Sequence, residues 1–188
     1  VITTGILHDI GKSRIPDSIL NKRGPLLPEE FEKMKEHVEI GYKLSLDIKC
    51  INDNIREGVL MHHENVDGSG YPYSLKGDKI NLYAKIISVA DVYDALTSER
   101  VYKKRNTPFD AFKEIIKMGY SKFDPKILTT FLTNIYVYYI GSMVKMNNGQ
   151  IGQVVFVSPL RITAPIVSVG GRCIDLSEKK YFRIDEML

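Results

Sequence analysis

The chain has 188 residues, 44% of them apolar, enough for one mid-sized domain or a domain with a small appendage. Its net charge of +3, from lysines and arginines spread among acids, is too small to argue for nucleic-acid or membrane-surface partners, and none is expected. No apolar run is long enough for a membrane span and no signal-type segment opens the chain. Cys50 and Cys173 belong to no CxxC pattern, so a reducing cytoplasm is the expected location. Val1 runs directly into "VITTGILHDIGK", an apolar stretch leading into a polar motif. The sequence therefore reads as a fragment with further residues upstream.

Residues 1 to about 134 carry helical periodicity. "LLPEEFEKMKEHVEIGYKL" has Pro28 at a first helical position and acids in the first turn. Phe31, Met34, Val38 and Gly41 follow at three- and four-residue steps and predict one buried stripe. "IREGVLMHH" sets Ile55, Val59, His62 and His63 on neighbouring turns, and "LYAKIISVADVYDALTS" predicts a long apolar helix interrupted by Asp91 and Asp94. "TPFDAFKEIIKM" and "DPKILTTFL" each open with a capping residue, Thr107 or Asp124, followed by proline. From about residue 135 the period changes. "GSMVKMNNGQIGQVVFV" predicts a hairpin around Asn148-Gly149, "APIVSVGGRCIDL" another around Gly170-Gly171, and "KYFRI" a last strand. The expected fold class is mainly α, a helical bundle over 1–134, followed by a small all-β appendage over 135–188 (an SH3-like barrel or hairpin).

The chemistry gathers in the helical half. All four histidines, His8, His37, His62 and His63, lie there on or beside apolar stripes, with Asp9 and Asp91 also set among apolar residues. Any one of these histidines alone reads as a satisfied core residue. Together with two carboxylates that need partners, they suit divalent metal. Imidazole and carboxylate without thiolate point to Fe, Mn, Zn, Ni or Co and away from a structural cysteine–zinc site. Six candidate ligands exceed the needs of one four-coordinate ion and suit two ions sharing a carboxylate. Such a pair acidifies water and clamps both oxygens of an in-line phosphoryl displacement. The residues thus predict a two-metal hydrolase of a phosphate ester.

"LHDIGKSRIPDSILNK", "MKEHVEIGYKL", "HHENVDGSGYP" and "ISVADVYDALTSERVYKK" occur in the order and spacing of the HD-GYP domains. The chain is similar to this branch of the HD phosphohydrolase superfamily from about Leu7 to Leu132, and the β tail resembles an extension that often follows the domain. The resemblance implies an HD-type helical bundle whose first helix or helices lie upstream. It also implies a metal-dependent phosphodiesterase that hydrolyses the bacterial second messenger cyclic di-GMP to pGpG and in some members GMP. Carried over by position, Asp9 bridges two divalent ions, Fe or Mn first and Zn, Ni or Co as alternatives. His8 and Asp91 hold the first ion; His37, His62 and His63 hold the second. Lys12 reaches the scissile phosphate, Arg100 and Lys103 grip phosphate oxygens, and Gly70, Tyr71 and Pro72 border the substrate pocket. Val101 departs from the proline usual in the family. Glu64 and Asp67 are read as carboxylates holding a histidine or capping a turn. Asp94 is read as holding a ligand or pairing with a surface lysine. Members often carry an upstream sensor or receiver domain, and the resemblance leaves room for a homodimer. Two alternatives stand beside this reading. One is a non-catalytic cyclic di-GMP receptor or protein-interaction module; the other is an HD-type hydrolase of another nucleotide or cyclic dinucleotide.

Overall fold

A computed structural model of the protein describes residues 1–98, 106–179 and 181–188. Arg100, Val101 and Lys103 lie outside the described residues. The described part forms two compact units. The first comprises Val1–Val92 and Met118–Ile127; the second comprises residues 93–98, 106–117 and 128–188 apart from 180.

The helices in chain order are α1 (Ile2–Leu7), α2 (Asp17–Leu20), α3 (Pro28–Lys35), α4 (His37–Leu46), α5 (Asp53–Met61), α6 (Leu82–Thr97), α7 (Pro108–Lys122) and α8 (Pro125–Ile135). Proline stands at the first position of α3, and Glu30 accepts from the Leu27 N–H at 2.7 Å, so the predicted start holds. The predicted single stripe does not. The helix ends at Lys35 and a new one begins at His37. The period resets at that break, and Phe31 is left exposed while Val38 is fully buried. The break is what places His37. Thr107 and Asp124 act as the expected caps. The Thr107 hydroxyl oxygen accepts from Asp110 N at 3.2 Å, and Asp124 Oδ1 accepts from Lys126 N at 3.0 Å. Gly119 kinks α7 with φ +62°.

In the first unit α4 packs on the 3-10 turn Ile10–Arg14 and on α5, and α1 packs on α5. Ile15, Val38, Val59, Ala84, Ile87 and Val89 form its apolar interior. Two glycines allow the closest approach. A Cβ on Gly11 would lie 1.9 Å from His37 O and 2.6 Å from Gly41 N, both rigid backbone atoms. Gly11→Ala is therefore expected to cost about 3 kcal/mol, the upper range for overpacking. Urea unfolding checks this, and a loss under about 0.5 kcal/mol would contradict the contact.

The second unit holds an antiparallel sheet of β1 (Met143–Met146), β2 (Ile151–Phe156), β3 (Ile166–Val169), β4 (Arg172–Asp175) and β5 (Ile184–Met187), in the order β4-β3-β2-β1-β5. The two predicted hairpins are β1–β2 and β3–β4, with positive φ at Gly149, Gly170 and Gly171. The last strand starts at Ile184, later than "KYFRI" suggested. Only there does the chain pair with β1, with Lys145 opposite Glu186 and Met146 opposite Ile184. Val144, Met146, Val154, Val167 and Ile184 point to one face and bury Phe109 and Phe112 of α7 beneath them. The mainly α fold with a β-rich C-terminal region is thus as expected.

Candidate metal centre

Three histidines reach one point by the same device. His8 closes α1, His62 closes α5, and His37 follows Glu36, the residue that closes α3. The last carbonyls of a helix have no partner within it. Each ring takes one of them. The Nδ1 atoms of His8, His37 and His62 lie 2.7 Å from the carbonyl oxygens of Gly5, Met34 and Val59. A carbonyl can only accept, so Nδ1 carries the proton and Nε2 is left with a lone pair.

Those lone pairs face each other across Asp9. His37 Nε2 is 3.5 Å from His62 Nε2 and 3.4 Å from Asp9 Oδ1, and His62 Nε2 is 3.8 Å from the same oxygen. Asp9 Oδ1 is buried and has no hydrogen-bond partner among the described residues. The other carboxylate oxygen faces a second group. His8 Nε2 lies 3.4 Å from Asp9 Oδ2 and 3.8 Å from Asp91 Oδ1. Lys12 Nζ donates to Asp9 Oδ2 at 2.5 Å. His63 joins on the first side: ligating atoms of Asp9, His37, His62 and His63 all lie within 4.8 Å of one another.

The electrostatics follow from this placement. Burial pushes His37 below the usual imidazole range, His62 down to about 4 and His63 down to about 2. All three are neutral at pH 7 and free to donate lone pairs. The Asp91 carboxylate moves His8 the other way, above its ordinary value, and outweighs burial. Burial opposes ionisation of Asp91, but His8 and the neighbouring imidazoles hold its carboxyl down at about 2. Buried lone pairs facing an orphaned carboxylate oxygen, with no proton to share, form a donor set that lacks an acceptor. A divalent cation with nitrogen and oxygen ligands fits it.

The turn after His63 is shaped by close approach. A Cβ on Gly70 would sit 2.4 Å from Asn65 N and from His63 O, so only glycine fits there. Gly68 takes φ +84°. The Tyr71 N–H then donates to His63 O at 3.2 Å, and the Tyr71 ring stacks on the His63 ring at 4.7 Å. The Tyr71–Pro72 bond is cis. Burial, with Asp9 and Asp91 nearby, pushes the Tyr71 phenol above its usual range, so it stays a neutral hydroxyl. Glu64 and Asp67 serve the turn. Buried Glu64 accepts from Tyr73 N at 2.7 Å and Leu75 N at 2.9 Å, and Asp67 accepts from Ser69 N at 2.8 Å. Among the described residues Asp94 accepts from the Ser98 hydroxyl at 3.1 Å. The histidine-orienting groups are backbone carbonyls, which no side-chain pattern announces.

Residues 1–127 match the HD domain family model, and the chain belongs to that family. It is 36% identical over 165 residues to a cyclic di-GMP phosphodiesterase of Pseudomonas aeruginosa, covering 88% of this chain and 40% of that protein. It is 40% identical over 127 residues to 3'3'-cGAMP-specific phosphodiesterase 2 of Vibrio cholerae, covering 67% of this chain and 24% of that protein. The chain therefore spans well under half of either relative. Among solved structures, an HDG"Y"P protein from Bdellovibrio bacteriovorus shares the fold, with TM-score 0.52 and 21% identity over 66% of this chain and 39% of that one. No helix among the described residues is long and apolar enough to cross a membrane.

Proposed function

We propose that this chain carries the catalytic centre of a two-metal cyclic di-GMP phosphodiesterase acting in the bacterial cytoplasm. The observation that carries the reading is the orphaned Asp9 Oδ1 between the Nε2 atoms of His37 and His62, with Oδ2 turned to His8. One carboxylate facing two donor groups suits a bridge between two ions. His8 and Asp91 would hold one; His37, His62 and His63 would hold the other. Fe or Mn suits this nitrogen and oxygen set, with Zn, Ni or Co as alternatives. Bound divalent ions supply the charge that activates water and stabilises an in-line displacement at phosphorus. Lys12, held on Asp9, would turn to the phosphate, stabilise its charge and protonate the leaving oxygen. Arg100 and Lys103 are proposed as further phosphate contacts.

The relatives supply the substrate class, since both named enzymes cleave cyclic dinucleotides. They also leave cyclic GMP-AMP as the second substrate to try. The test is hydrolysis by the full-length protein loaded anaerobically with Fe or Mn. Metal-dependent formation of pGpG is expected, and no turnover with metal bound would leave a receptor role instead. The pocket role of Gly70, Tyr71 and Pro72 makes a separable prediction. Tyr71→Ala removes the ring from His63 but no ligand atom, so KM is expected to rise about tenfold with metal content unchanged. Metal loss at unchanged KM would reverse that assignment. Residues 1–134 are proposed as the catalytic portion and 135–188 as its stabilising extension.

A further inference from the structure

A cleft of about 250 Å³ opens beside the cluster, with His63, Asp91, Phe31, Lys35, Tyr71 and Lys122 among the residues that line it. It is too small for a whole dinucleotide; sites that enclose drug-sized ligands run to ~300–1,000 Å³. Its charge is what asks for explanation. Lys35 lies with Nζ 4.9 Å from the Phe31 ring centre and 5.6 Å from that of Tyr71. Those contacts hold its ammonium at the cleft, while its only carboxylate partner among the described residues is Glu32 at 2.7 Å, a side chain 69% exposed. A pair so open to water is worth little and is readily exchanged for a better anion. Lys122 is half-buried and has no carboxylate partner among the described residues. Both lysines line this one small cleft, which gives it two positive charges to offer an anion.

We infer that Lys35 and Lys122 receive the phosphate that is not being cut, and so select substrates with two phosphodiester groups over those with one. This rests on the phosphodiesterase reading of the neighbouring cluster. A cyclic dinucleotide carries its phosphates on opposite sides of one ring. With the scissile phosphate at the Asp9 cluster, the cleft beyond His63 and Asp91 receives the other half. Both lysines bind phosphate as point charges and ignore the bases. The cleft therefore favours cyclic dinucleotides as a class and does not choose between cyclic di-GMP and cyclic GMP-AMP.

The experiment is calorimetric titration of the full-length, metal-loaded protein with cyclic di-GMP and with 3',5'-cyclic GMP, which has the same base and one phosphate. Turnover of both is measured in parallel. Lys35→Met keeps an unbranched side chain while removing the charge, and Lys122→Gln removes the charge at the second position. Each is expected to raise Kd for cyclic di-GMP about tenfold, as the loss of one charge-assisted hydrogen bond requires. Affinity for cyclic GMP stays unchanged, and Lys122→Arg restores cyclic di-GMP binding. Equal losses for both ligands, or no loss for cyclic di-GMP, overturn the inference. So does wild-type protein that fails to bind the dinucleotide. Wild-type binding that is weakened by these variants but never followed by turnover upholds the lysines' role and overturns the phosphodiesterase reading alone.

Discussion

Asp9→Asn is expected to abolish activity and, in the same protein, to stabilise the metal-free fold. The first half follows from chemistry. If Asp9 bridges two ions as proposed, an amide could not serve as their shared anionic ligand, so kcat should fall on the order of 10³-fold or more and metal content should drop. The second half follows from geometry. In the metal-free protein the buried Asp9 Oδ1 faces lone pairs on His37 Nε2 at 3.4 Å and His62 Nε2 at 3.8 Å. An asparagine NH2 in that place donates to one of them and turns an unsatisfied contact into a hydrogen bond worth about 1 kcal/mol. In a chain of this size that raises Tm by about 2–4 °C. Scanning calorimetry with and without chelator separates the arms. Wild type should gain Tm with metal; the variant should start higher and gain nothing. A variant that is less stable than wild type in chelator would show that the metal-free cluster is not a frustrated donor set.

Phe112→Ala should produce the largest loss of stability. Its ring is fully buried, stacked on Tyr93 at 5.7 Å and edge-on to Phe109 and Tyr139 at 6.2 and 6.1 Å. It joins α7 to the inner face of the sheet. Truncating such a ring removes its transfer free energy and leaves a cavity, together about 3–5 kcal/mol. Tm of the second unit should fall by at least about 12 °C. A fall of less than ~3 °C would mean that the sheet closes over the gap. The same packing predicts the fate of a protein ending at residue 135. Phe109 and Phe112 would lose the cover of Val144, Met146 and Val154, so that shortened chain should aggregate or unfold. A soluble, cooperative, fully active 1–135 protein would remove the stabilising role proposed for the tail.

Residue type and period made much of this visible beforehand. The histidines and aspartates stood out because carboxylates and imidazoles among apolar residues need partners, and the hairpin turns stood out because Asn148-Gly149 and Gly170-Gly171 favour positive φ. What stayed hidden depends on three dimensions. The interruption between Lys35 and His37 has no proline or glycine to mark it, so local periodicity predicts an unbroken stripe with Phe31 inside it. Ile184–Met187 pairs with β1, a partner far away in sequence, and local pattern cannot fix such a register. The sequence leaves Glu64 between holding a histidine and capping a turn; only the turn geometry shows it holding Tyr73 and Leu75. Lys35 and Lys122 looked like ordinary surface lysines because nothing in their local sequence shows that they share a cleft.

The carbonyl-held histidines have an evolutionary consequence. The groups that aim His8, His37 and His62 belong to Gly5, Met34 and Val59 only through their main chains. Point mutations that leave the helix intact, such as Met34→Leu, cannot delete them, so a change of residue type there, within what packing around buried Val59 allows, does not loosen the rings. A single inserted or deleted residue between carbonyl and imidazole rotates the ring by ~100° about the helix axis and breaks the link outright. Lineages carrying this centre should therefore tolerate substitutions next to their ligands far better than changes of length.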